Sequence, residues 1–171
     1  GLGDVYKRQA EERREKLNAL SYDESLEKLQ TLHLSGETKT QFDALNQNWT
    51  ESSTEFLVPV DEKIHEAEVN LDKFKFSLAQ TDIDDAHALM DQYEARHQEL
   101  IGKADKVFQT HQESDTIYEK AKDEHRKLKR DVLANRHQYG EAAGLLEKEI
   151  EAFEPEFEVY ESVSYTHLRA H

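Results

Sequence analysis

A chain of 171 residues, 36% hydrophobic and 35% charged, has material for one domain but only for a narrow apolar core. Its formal net charge of -15, from 37 acidic against 22 basic residues, repels phosphate backbones and anionic headgroups on average and argues against nucleic acid as a partner. The absence of cysteine removes disulfides, thiolate metal sites and thiol chemistry, and suits a reducing compartment such as the cytoplasm.

Six glycines and two prolines provide too few turns for an all-β fold, so the elements are expected to be few, long and helical. No run approaches the roughly 20 apolar residues of a membrane span, and the first residues show no signal-peptide apolar region. The piece itself is therefore expected to be soluble. The acceptor triplet Asn48-Trp49-Thr50 lies in a helical stretch and reads as coincidence.

Both ends depart from the Glu/Lys-rich texture of the rest. Residues 1–9 (GLGDVYKRQ) and 162–171 (SVSYTHLRAH) resemble translated sequencing-adapter read-through and are read as non-native tails, which implies truncation at both ends. Setting them aside removes Lys7, Arg8 and Arg169 against Asp4, so the remainder is more acidic still.

Residues Ala10 to Leu20 have a charged, helical composition, and Ser21 with Glu24 forms a capping box that opens a short helix to about Leu32. Ser35-Gly36 breaks the pattern. Thr38 with Gln41 forms a second box, opening a face of Phe42, Leu45, Trp49 and Phe56 that continues as Val60, Ile64, Ala67, Leu71, Phe74 and Leu78. The four-and-four spacing of Phe56, Val60 and Ile64 is a stutter, and Pro59 sits within it without an N–H to donate, so a kink is expected there.

Thr81 is the next expected N-cap, with Asp82, Asp84 and Asp85 at the positive end of a helix dipole. From Ile83 an unbroken heptad seam runs through Ala86, Met90, Tyr93, His97, Leu100, Ala104 and Val107. It continues through His111, Ser114, Tyr118, Ala121, His125, Leu128 and Val132. A helix from about Asp82 to about His137 is on the order of 85 Å long. Gly140 is expected to cap it, followed by a third stripe of Leu146, Ile150, Phe153, Phe157 and Tyr160, with Pro155 a point of bending.

Three such seams bury one another most simply in an elongated antiparallel three-helix bundle with very long helices, a spectrin-like repeat. Its third helix is cut short by the closing tail, which leaves the far half of the long helix exposed or frayed and leaves a homodimer through that seam open.

Nine histidines raise a metal hypothesis, but there is no HExxH, and outside the closing tail no two histidines stand at i and i+4. His97, His111 and His125 share one seam two heptads apart, about 21 Å between neighbours, too far to bind one ion. They read as seam-edge residues that specify register, with pH-dependent loosening as the functional alternative. Glu147, Glu149, Glu151, Glu154, Glu156, Glu158 and Glu161 read as solvated faces, because acid-base catalysis needs carboxylates in a desolvated cleft. Trp49 and the phenylalanines fall on helical stripes and read as core. No catalytic, metal or cofactor residue is assigned, and no enzyme is expected.

Leu29 to Thr38 (LQTLHLSGET), Phe42 to Trp49 (FDALNQNW), Glu66 to Phe76 (EAEVNLDKFKF) and Leu133 to Gly140 (LANRHQYG) resemble the EzrA family of septation ring regulators, in order and spacing, across about Ala10 to Glu161. The resemblance implies an N-terminal membrane helix, absent from this chain, followed on the cytoplasmic face by several spectrin-like repeats. It makes 10–35 a juxtamembrane helix plus a short helix, and 36–161 the first repeat. It also implies a binding role that limits where the tubulin-like FtsZ polymer assembles into the division ring, with contacts to other division proteins. No residue can be assigned to those contacts by motif. A rival reading is a structural coiled-coil spacer of a cytoskeletal or surface fibre.

Overall fold

Three residues with positive φ punctuate the chain in the computed structural model, which describes residues 1–21, 24–32, 34 and 36–164: Gly36 (58°), Phe74 (58°) and Gly140 (59°). Helix α1 (Leu2–Leu17) runs into a 3-10 turn (Asn18–Ser21), and α2 (Glu24–Gln30) is short. Then come α3 (Gly36–Ser52), α4 (Val58–Asp72), the 59-residue α5 (Phe76–Ala134), the single turn α6 (Arg136–Tyr139), α7 (Ala142–Ala152) and α8 (Glu154–Ser164). The opening residues read as foreign are helical here, continuous with the rest of α1. The Ser21–Glu24 box falls partly outside the described residues. The Thr38 box is corrected: α3 opens at Gly36, so Thr38 is already helical.

Between α3 and α4, residues Ser53–Leu57 form a π-helical turn in which the N–H of Val58 reaches back five residues to the carbonyl of Ser53. Pro59 has no N–H for the Glu55 carbonyl, and its ring would crowd that oxygen in a regular helix. A wider turn relieves the clash and absorbs the extra residue of the stutter, so Phe56, Leu57 and Val60 all stay buried. The irregularity expected at Pro59 is thus a π turn just before it.

The expected N-cap at Thr81 is corrected as well. Helix α4 ends in a Schellman motif: Phe74 N–H donates to the Leu71 carbonyl (3.0 Å) and Lys75 N–H to that of Asn70 (2.8 Å). Glycine is the usual residue at the left-handed position, and phenylalanine there hid the turn from a sequence reading. Helix α5 therefore starts six residues earlier than expected, and Thr81 lies inside it with its hydroxyl on the Ser77 carbonyl. Asp82 does not meet a helix terminus; it is buried and accepts a hydrogen bond from Asn70 Nδ2 (2.7 Å) across the turn. The expected cap of the long helix at Gly140 is corrected: α5 ends at Ala134 with Asn135 as its cap, and Gly140, with φ 59° and ψ -132°, a region open only to glycine, closes the single turn α6.

Every described element is helical, and α5 is about 88 Å long at 1.5 Å per residue. Its first stretch is covered by two layers. One cluster joins Ala10 and Leu17 of α1 to Phe56, Leu57, Val60 and Ala67, and to Ile83, Ala86, Met90 and Tyr93 of α5. The next joins Leu26 and Leu29 of α2 and Leu45 and Trp49 of α3 to Leu100, Ala104 and Val107. Arg13 braces α1 on α5, donating to His87 Nδ1 (2.9 Å), Asp91 (2.6 Å) and Glu94 (3.2 Å). Burial works against its charge, but the two carboxylate hydrogen bonds outweigh it and raise its pKa.

Helices α7 and α8 fold back along a different stretch of α5, where Tyr118, Val132, Ala143 and Ile150 are buried. The third strand beside α3–α4 in the near core is therefore α1–α2, in place of the expected α7–α8. With a single covering layer, α5 leaves Ser114, Ala121 and Leu128 of its seam exposed, and Phe153 is exposed at the break before α8. Pro155 is the second residue of α8, where a missing N–H costs little. Phe74 and Leu78, expected on the core face, are exposed at the α4–α5 turn.

Candidate functional site

Two of the three seam histidines, His97 and His125, tie α5 to a neighbour, and the third, His111, meets a carboxylate of α5 itself. His97 is buried; its Nε2–H donates to the Leu20 carbonyl (3.0 Å), and its ring meets Trp49 edge-on at 4.8 Å. His125 does the same to the Ile150 carbonyl (2.6 Å), with Phe157 edge-on at 5.1 Å. A carbonyl only accepts, so both rings carry a proton on Nε2. His111 lies 3.5 Å from Asp115, whose carboxylate also accepts from the Tyr160 hydroxyl. The His97 and His125 contacts fix the register of α5 against the 3-10 turn after α1 and against α7. Among the described residues no three His, Asp or Glu side chains are grouped to hold a metal ion.

The carboxylates of α7 and α8 are engaged across helices. Glu147 faces Arg136 (3.5 Å), Glu154 faces Lys129 (2.6 Å), and Glu161 pairs with Lys122 and accepts from the Tyr118 hydroxyl (2.6 Å). Each of these pairs joins two helices. Glu149, Glu151, Glu156 and Glu158 are exposed.

The hydrogen bond from Lys129 holds the Glu154 carboxyl below its usual range and raises the lysine in return. A depressed carboxyl pKa contributes stability above the unfolded value, about 4.3, and loses it as pH falls through the folded one. The lysine contribution is full below its ordinary value and fades only as pH rises through the raised one. At pH 7, Glu154→Gln is expected to lower the hydrogen-exchange protection of α7. The difference from the parent should shrink as pH falls through the lowered pKa of Glu154; a gap that stays constant at every pH would point to packing instead.

Apolar side chains left in water mark two places. One is the α4–α5 turn, with Phe74, Phe76 and Leu78; the other is the far stretch, with Ile117, Leu128 and Leu133 of α5 and Leu145 of α7. Both are exposed apolar stretches. Sequence reasoning assigned no partner-binding residue, and the only signal for these was an apolar residue that its stripe failed to bury.

No helix among the described residues is long and apolar enough to cross a membrane. The sequence profile of the family described as "Septation ring formation regulator, EzrA" matches residues 6–166, nearly the whole chain. The chain belongs to the EzrA family. Among curated family members, the septation ring formation regulator EzrA of Staphylococcus epidermidis (strain RP62A) is 51% identical over 153 residues, covering 90% of this chain. EzrA of Staphylococcus aureus (strain Newman) is 49% identical over 150 residues, covering 88%. In both cases the chain spans 27% of the relative's length, so it corresponds to a fragment of an EzrA protein.

Proposed function

We propose that the chain is the membrane-proximal part of a division scaffold that limits FtsZ ring assembly through protein–protein binding, without turnover. The observation that carries this reading is the EzrA match over residues 6–166, at about half identity to septation ring regulators. A rod whose carboxylates are solvated or paired, and whose uncovered apolar positions lie along its length, offers contact faces in place of a catalytic cleft. In this reading residues 10–161 are the native portion and the outer segments are foreign. A preceding helix would anchor the rod on the cytoplasmic face of the membrane. Chain continuing α8 would complete a spectrin-like third helix over α5, where self-pairing of the fragment would otherwise occur.

Sedimentation of FtsZ polymerised with GTP tests the proposal in three samples: FtsZ alone, FtsZ with the protein from the complete gene, and FtsZ with that protein lacking 10–161. The complete protein is expected to reduce the pelleted polymer and the deletion to lose most of that effect. Equal pellets in all three would refute the reading.

A further inference from the structure

The α4–α5 turn carries side chains for which the fold has no use. Phe74 occupies the left-handed position of the Schellman motif at φ 58°, a conformation glycine adopts freely and an aromatic residue adopts under strain. Its ring gains no burial in return, being 78% exposed. Phe76 is 62% and Leu78 54% exposed, and the two rings meet edge-to-face at 6.2 Å. Strain held without packing gain points to a role other than stability.

Two cations complete the pattern. Lys73 and Lys75 flank Phe74, both exposed, and neither forms an ion pair among the described residues. Asp72 adjoins them, and Asp4 of α1, paired with the chain's amino terminus, lines the same end. The acidic residues behind the net charge of -15 are spread along a rod about 88 Å long, whereas screening at physiological salt acts within about 8 Å. The average repulsion of anionic surfaces therefore does not govern this end. Leu2 and Tyr6 of α1 border the same end beside Leu71 and Phe76, but they lie in the segment read as foreign and carry no part of the inference.

We infer that the α4–α5 turn is a lipid-contact tip, with Phe74, Phe76 and Leu78 entering the interfacial layer of a bilayer and Lys73 and Lys75 against anionic headgroups. Aromatic rings favour that layer, and lysine stems extend from it to water. The turn itself offers only three exposed apolar side chains, which suits a deformable headgroup layer better than a protein partner, where a stable contact buries about 800 Å² a side. The inference does not rest on a preceding membrane helix, because the contact is made by the turn itself.

Co-sedimentation of the chain with vesicles of phosphatidylcholine plus phosphatidylglycerol, and of phosphatidylcholine alone, tests it. The parent is expected to pellet with the anionic vesicles. Replacing both rings, Phe74→Gly with Phe76→Ser, should weaken partitioning about tenfold or more. Replacing both lysines with glutamine should weaken it only where phosphatidylglycerol is present, about fivefold per charge. Phe74→Gly alone should raise the melting temperature by about 2–4 °C while weakening vesicle binding, opposite directions that a purely structural residue would not give. A parent chain that stays in the supernatant overturns the inference. So does unchanged binding of the double ring variant, or binding abolished by Leu2→Ser with Tyr6→Ser and not by the ring changes. A dimer that the ring variant dissolves, without vesicle binding, would assign the tip to a second copy instead.

Discussion

Trp49→Ala is expected to destabilise the chain by about 3–5 kcal/mol, seen as a lowered midpoint when helicity is followed through thermal or urea denaturation. Trp49 is 6% exposed and belongs to the second cluster, with Leu45, Leu100, Ala104 and Val107. Truncation leaves a cavity between α3 and α5 that two stiff helices cannot readily close. It also strips the edge-on ring from His97, whose Nε2–H remains committed to the Leu20 carbonyl. Domains of this size have a net stability of about 5–15 kcal/mol, so the loss takes a large share. Trp49→Phe keeps much of the buried area and should cost clearly less. A midpoint unmoved by the alanine variant would show that α3 does not pack where Trp49 places it.

Tyr118→Ala should have a comparable local cost, about 2–4 kcal/mol, confined to the far stretch. Tyr118 stacks on Tyr160 at 4.1 Å, meets Phe157 edge-on at 5.8 Å, and donates to Glu161. These contacts hold α8 to α5, and neither near-core cluster contains a residue of α7 or α8. Amide exchange in α8 is therefore expected to accelerate while the fluorescence transition of Trp49 stays in place. If Trp49 responds equally, the two stretches unfold as one cooperative unit.

The near core was legible because its signal is periodic. Ala86, Met90, Tyr93, His97, Leu100, Ala104 and Val107 step by three and four, and all are buried as the heptad reading requires. Gly140 was legible as a helix end, though not as that of α5, because its backbone conformation excludes other residues. The start of α5 was not, since a phenylalanine does the work of a turn glycine, and Thr81 with three aspartates imitates a cap. Ser114, Ala121 and Leu128 follow the same period as the buried residues yet are exposed, because periodicity shows which side faces a partner and not how many partners are present. The exposed apolar stretches were illegible for the same reason: Phe74 and Phe76 read as stripe until the fold placed them at a turn.

The π turn beside Pro59 confines its irregularity to the strand that carries it, while α5 runs from Phe76 to Ala134 without a break in its hydrogen-bonded ladder. The near core and the far stretch thus share one stiff beam. A pull or twist delivered at Val132 reaches Ile83 without crossing a loop, so load applied at one end of the molecule is felt mechanically at the other.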